Sequence, residues 1–384
     1  MRIVQTRNRL ALTVVVALLL GLVALPAVAK PPTDGQVTVD QMEFIGATEF
    51  ETGYLFHDTE VGGLSGIVYD KWNGVFHALS DDKSETNDAR FYSLTIDLDD
   101  GYLDDGDVEF VDVTFLTDAN GDRFVLDSLD PEGFEMMKKG HLFIGSERDL
   151  ENQPWIKRFG MNGMENMTLP LPEYFLASGD PQDSGVYLNL AFESLTSTPN
   201  GRFLYAATEA ALTQDGLPST LDDGSPARVL EFSVNGNKMN HLAADSEYVY
   251  MVEPIPFQEP GRFADQGLVE MQAIDNFGTF LTMERSFASG IGNTIQIFET
   301  SILGATDVSG VADLDDTVYT PMSKRLVAFI TEADYDLDNM EGMAFGPKMK
   351  DGRIPLIIVA DNNFNSPFQR TVFLAYALDL AKVK

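Results

Sequence analysis

The chain has 384 residues, 44% of them hydrophobic, and a formal charge of −34 at pH 7. That length suits one large or two ordinary domains with a sizeable core, and it excludes global disorder. The charge excludes partners with a phosphate field, nucleic acid and anionic lipid alike, and favours cations. With no Cys, a disulfide framework, a thiolate metal site and a cysteine nucleophile are all excluded.

The first predicted element is a targeting segment over residues 1–29. Arg2, Arg7 and Arg9 give a positive start, "ALTVVVALLLGLVALP" an apolar stretch, and "AVA" a cleavage point after Ala29. A retained membrane anchor is the structural alternative. "KPPTDGQ" then reads as an exposed mature N-terminus, and no later run is long enough to span a bilayer. These features predict a secreted or periplasmic protein whose residues 30–384 form a single domain, without stable membrane insertion once the signal is removed.

From there on the chain alternates short apolar strands with turns. "LSGIVYDKWNGVFHALSDD" (64–82) is a strand, an Asn-Gly turn and a second strand that ends in acid. "LDPEGFEMMKKGHLFIGSERD" (129–149), "FESLTSTPNGRFLYAATEA" (192–210), "VEMQAIDNFGTFLTMERS" (269–286) and "MEGMAFGPKMKDGRIPLIIVADNN" (340–363) repeat the plan. The repeat heads are Ser65, Glu132, Glu193, Glu270 and Glu341; the acids that close the second strands are Asp81, Glu147, Glu209, Glu284 and Asp361. A spacing of about 60 to 80 residues fits four-stranded propeller blades. Further strand-like runs fill each interval, but after Asp361 only "TVFLAYAL" is left. The N-terminal "VTVDQMEFIG" can complete that last repeat and close the ring, which removes a free sheet edge. The expectation is therefore an all-β, β-propeller fold closed by the N-terminal strand. Five repeats are counted, and a sixth, degenerate blade within 300–338 stays open.

In a propeller, equivalent positions of the inner strands form one ring around the axis. Four Glu on such a ring repel one another unless protons, basic partners or metal ions neutralise them. Oxygen ligands without Cys, and with only four His, select Ca²⁺ over zinc or copper. The candidate metal ligands are Glu132, Glu193, Glu270, Glu341, Asp81, Glu147, Glu209, Glu284 and Asp361. Two other readings stay open: acids that cap backbone N–H groups between blades, and an acid or base in catalysis. Lys83, Arg148 and Arg285 lie beside the closing acids, either as structural ion pairs or as the groups that bind an anionic substrate.

Three weaker signals read as structural. "GGLSG" is not a hydrolase elbow, because Gly66 follows Ser65 directly; Ser65 is better read as the ring position of the first repeat. His77 and His141 fall within strands and read as hydrogen-bonded sheet residues. "TDANGDRF" (117–124) has calcium-loop alternation but Arg123 at the sixth position and Leu129 at the twelfth, which predicts an ordinary turn.

Taken together, "GGLSGIVYD", "ALSDD", "DPEGF", "SERD", "FESL", "ERS", "NMEGMAFG" and "ADNN" resemble the family called esterase-like activity of phytase, or phytase-like, over about residues 37–380. The resemblance implies a propeller distantly similar to the calcium-dependent β-propeller phytases, which use Ca²⁺ in an acidic channel to bind and hydrolyse phosphate monoesters. It implies a calcium-dependent hydrolase acting on a small anionic ester. The alternative is a non-catalytic, calcium-stabilised propeller that serves as a binding module or scaffold in the cell envelope. Ser65 departs from the family's acidic head.

Overall fold

A computed structural model describes residues 35–138, 140–179, 182–234 and 244–383. The signal peptide expected over 1–29 lies outside the described residues. The described residues belong to one compact unit.

Five four-stranded antiparallel sheets make five blades. Blade 1 runs outward from the inner strand Leu64–Asp70 through Val75–Ser80 and Arg90–Ile96 to Val108–Phe115. Blade 2 is Pro131–Met137, His141–Ser146, Trp155–Gly160 and Glu165–Thr168. Blade 3 is Phe192–Ser197, Phe203–Ala211, Ser225–Ser233 and Ala244–Val252. Blade 4 is Ala264–Ala273, Thr279–Ala288, Gly292–Ser301 and Ser323–Thr331. Blade 5 starts at Asn339–Phe345, continues through Ile354–Asp361 and Arg370–Lys382, and takes its outer strand from Val37–Glu51. That outer strand pairs antiparallel with the C-terminal one from Val37↔Lys382 to Glu51↔Arg370, so the two ends of the chain close the ring. The region 300–338, left open as a sixth blade, supplies the outer strand of blade 4 instead. Helical structure among the described residues is limited to the 3₁₀ turns Glu173–Phe175 and Leu314–Asp316.

The turn signals lie where expected. Gly74, Gly201 and Gly352 each have positive φ and sit between the first and second strands of blades 1, 3 and 5. The core is a ring of inter-blade clusters. Because successive side chains of a strand face opposite ways, Leu356 and Ile358 pack toward Leu281 and Ile297 of blade 4. Ile357 and Val359 pack toward Ala78 and Tyr92 of blade 1. Phe91 and Phe134 join blades 1 and 2, Ile156 and Leu204 join blades 2 and 3, and Val229 and Phe280 join blades 3 and 4. Both faces of a middle strand are thus buried, which is why these strands read as continuous apolar runs.

Candidate metal centre and channel mouth

Each inner strand carries a register shift against its neighbour. It falls between Leu64 and Gly66, Pro131 and Phe134, Phe192 and Ser194, Leu268 and Glu270, and Met340 and Gly342. A bulge leaves one residue unpaired and re-aims its side chain. The residues at that point are Ser65, Glu132, Glu193, Val269 and Glu341. The position just past the partner residue on the second strand holds Asp81, Glu147, Glu209, Arg285 and Asp361, next to the paired Ser80, Ser146, Thr208, Glu284 and Ala360.

Blade 4 is therefore the exception, and two of the expected ring acids are corrected. Glu270 is displaced by one residue from the ring position, which Val269 takes. Its carboxylate accepts from the Met271 N–H at 2.8 Å and from the Met343 N–H of blade 5, and burial, with Glu135 as the nearby carboxyl, raises its pKa. Glu284 is likewise turned into blade 4. It accepts from Tyr250 Oη at 2.6 Å, Gln266 Nε2 at 2.7 Å and the Glu253 N–H at 2.9 Å, and pairs with Lys324 at 2.7 Å. A one-residue slip sends a strand side chain to the opposite face. Arg285 faces the ring in place of Glu284.

The remaining acids converge. One oxygen from each of Asp130, Glu132 and Glu147 lies within 4.8 Å of the others, and the same holds for Glu147, Glu193 and Glu209. Burial, reinforced by neighbouring carboxylates, holds Asp81, Glu132, Glu193 and Glu341 far above the usual carboxylate range. Burial also pushes Glu147 to about 8, Glu209 to about 7 and Asp361 to about 6. On the far side Asn339 donates to Glu341 at 2.7 Å and Asp361 at 3.2 Å and accepts from Arg285. Arg285 also pairs with Glu209 at 3.4 Å and Glu341 at 3.8 Å. Burial works against its charge, but these carboxylates outweigh it and raise its pKa.

Asp130 is the site residue that sequence reasoning missed, although it stands in the quoted "LDPEGF". It receives Lys83 at 2.7 Å and Arg148 at 2.9 Å, whose side chains are 26% and 22% exposed. The three expected substrate-binding cations are thus all paired with acids, two of them at the solvent boundary. Beyond Arg285 and Asn339 opens a cleft of about 1150 Å³, bordered also by Phe364, Phe368 and Arg370.

The donor set fits a hard divalent cation. All protein ligands are oxygens, the carboxylates are packed too closely to ionise together, and buried Asp81 Oδ1 has no hydrogen-bond partner. Backbone room is reserved for the acids as well. A Cβ on Gly63 would come within 1.9 Å of Asp81 Oδ1, and one on Gly267 within 2.1 Å of Glu209 Oε1.

The weaker signals resolve as structural. Ser65 Oγ donates to the carbonyls of Pro131 at 3.2 Å and Glu132 at 3.4 Å. His77 bonds Ser93 across the blade at 3.0 Å. Asp118 closes its own turn by accepting from the N–H groups of Asn120 and Asp122 at 2.8 and 2.9 Å.

Fold and site define a five-bladed propeller with an acid-lined channel mouth. The chain belongs to the phytase-like family, described as esterase-like activity of phytase, which matches residues 59–364. No curated protein matches it in sequence. Among solved structures it is similar to the RS223 β-xylosidase, at 12% identity and a TM-score of 0.40 over 89% of this chain and 94% of that one. It is also similar to CoXyl43, a β-xylosidase/α-arabinofuranosidase from a compost microbial metagenome, at 11% identity and a TM-score of 0.37 over 91% and 94%. A DUF4221-family protein from Bacteroides vulgatus gives 9% and 0.35 over 91% and 99%.

Proposed function

We propose that the protein is an exported, calcium-dependent hydrolase of phosphate esters or related esters, acting at the acidic mouth of the channel. The observation that carries this reading is the pair of carboxylate triads that share Glu147. Asp130, Glu132, Glu147, Glu193 and Glu209 would hold the metal, with Asp81 beside them. When bound, Ca²⁺ supplies a Lewis acid that polarises the ester oxygen and acidifies water. The chain's own contribution is electrostatic and positional. Lys83 and Arg148 share Asp130 and keep part of each side chain exposed, where they meet an anionic substrate. Arg285 holds a fixed positive charge in the wall of the adjoining cleft. Three cations make a thin set for a substrate as highly charged as phytate, so a simpler monoester or related ester fits better.

The pairing of all three cations with acids favours a second reading, a calcium-stabilised scaffold without turnover. A screen of phosphomonoesters, phytate, carboxyl esters and lactones, each with calcium and with chelator, separates the two. Calcium-dependent turnover that falls in Lys83→Ala and Arg148→Ala supports the enzyme; stabilisation by calcium without turnover of any substrate leaves the scaffold. For localisation and domain limits, we propose that residues 1–29 are removed by signal cleavage after Ala29 and that 30–384 form the mature single domain. Among the described residues no helix is long and apolar enough to cross a membrane. N-terminal sequencing of the exported protein tests the cleavage point.

A further inference from the structure

The inner strands end, as well as begin, around the channel, and the far end carries a different set of groups. Residues at or next to the ends of all five, Tyr69, Met137, Ser197, Ala273 and Phe345, border a pocket of about 210 Å³. Its wall includes Glu135 and Gln272, 9% and 8% exposed. Glu135 accepts from Ser197 Oγ at 3.0 Å, and among the described residues it forms no ion pair with Lys or Arg. Trp72, on the rim, is 52% exposed. Among the described residues the two lysines there are engaged by the protein. Lys71 Nζ sits 4.9 Å from the Trp72 ring centroid, and Lys138 Nζ donates to the Asn200 carbonyl at 2.5 Å.

We infer that this pocket is a second binding site, which takes one neutral sugar ring, free or at the end of a glycan. With Lys71 Nζ over one side of the exposed indole, the other side is the flat apolar surface that an amphipathic ring covers. Convergent polar groups in a small concavity fix orientation; here the Ser197 hydroxyl, whose proton goes to Glu135, offers an acceptor lone pair and the protonated Glu135 carboxyl a donor, so the pair meets both needs of a polyol. An anion is disfavoured, because Lys71 and Lys138, the described lysines of the wall, are already engaged and the protein's charge is −34. Burial, partly offset by hydrogen bonding to Ser197, raises Glu135 to about 8. Its other charged neighbours are Lys71 and the buried Glu270, so the carboxyl remains a donor at neutral pH.

The mature chain carries its own probe. Of its two Trp, Trp155 is buried and Trp72 is exposed, so emission changes on binding report the pocket. Glucose, galactose, mannose, xylose and arabinose, and trisaccharides ending in each, are titrated in chelator and in calcium and checked by calorimetry. We expect saturable binding of at least one neutral sugar, independent of calcium, that weakens at least tenfold in Trp72→Ala and Glu135→Ala and much less in Glu135→Gln. A preference for the trisaccharide over the free sugar assigns the site to glycan ends. Absence of saturable binding, tighter binding of the matching uronic acid or sugar phosphate, or full affinity in the variants overturns the inference. Should Glu135→Ala fail to fold, Ser197→Ala with Trp72→Ala decides in the same way. Because the channel acids lie at the opposite ends of the same strands, the calcium response of these variants stays that of wild type. Failure here thus leaves the channel reading intact, and the converse holds as well.

Discussion

Without metal, this protein is expected to gain stability on acidification over a range in which most proteins are flat or begin to lose it. Glu147 shows why. Its carboxyl has an ordinary value of 4.5 in the unfolded chain and about 8 in the fold, raised by burial and then by Asp130. Between those values the folded state holds a proton that the unfolded state has released. Stability therefore falls as pH rises through that window and stays low above it. One pKa unit is about 1.36 kcal/mol, so at pH 7 this one group costs about 3 kcal/mol relative to acid, against a total stability of about 5–15 kcal/mol. Glu209 at about 7 and Asp361 at about 6 act with the same sign. The assay is thermal melting from pH 5 to 8.5 in chelator and in calcium. In chelator the melting temperature should drop toward alkaline pH; in calcium the drop should shrink or vanish, because metal binding displaces the protons. Glu147→Gln should be more stable than wild type in chelator at pH 8 and respond less to calcium. A chelator curve that rises steadily from pH 5 to 8 would refute the reasoning, since it would mean that these carboxylates are ionised and compensated without metal.

Further perturbations separate the ring from its surroundings. Arg285→Met leaves Glu209 and Glu341 without their shared cation, so it should lose about 3–5 kcal/mol in chelator and recover part of it in calcium, as read by melting in both media. Glu284→Gln breaks the buried pair with Lys324 and should lower stability by about 2–4 kcal/mol while the calcium-induced shift stays at the wild-type value. Deleting residues 37–44 removes more than half of the outer strand of blade 5 and should abolish cooperative folding of the whole propeller, visible as loss of the single thermal transition; a protein that merely frays at one end would show that closure is dispensable.

The blades were legible in the sequence because each repeat carries its own punctuation, a Gly-marked turn between apolar strands, and because the last repeat is visibly short of one strand. Ring membership was harder to read, since it depends on which of two adjacent residues a bulge turns toward the axis. "VE" and "ER" in blade 4 each offer an acid one residue from the right place. A signal was present. The residue after the ring position is Gly66, Gly133, Ser194 or Gly342 in the other blades, whereas Glu270 is followed by Met271. The residue before the closing acid is Ser80, Ser146, Thr208 or Ala360, whereas Glu284 is preceded by Met283. At Gly66 the neighbouring blade passes close by, and a Cβ there would meet the Phe134 Cβ at 2.6 Å. Asp130 escaped notice because Gly63, Ala191, Gly267 and Asn339 hold its place in the other blades, so no repeat marks it.

The break in fivefold pattern also explains how so many acids share one mouth. Both close carboxylate triads belong to blades 2 and 3. On the opposite side Glu341 and Asp361 are already served by the Asn339 amide and by Arg285, the residue that stands where a fifth closing acid would be. A full ring of like charges would need protons or metal all the way round. Replacing one acid by arginine and one head by valine supplies a permanent internal countercharge on one side only. The need for an external cation is thereby concentrated on the other, where Glu147 is shared by both triads and Asp130 ties the rim lysine and arginine to the same cluster. The asymmetry, more than the number of acids, gives the channel a direction: the two carboxylate triads beside blades 2 and 3, and an open cleft past Arg285 beside blades 4 and 5.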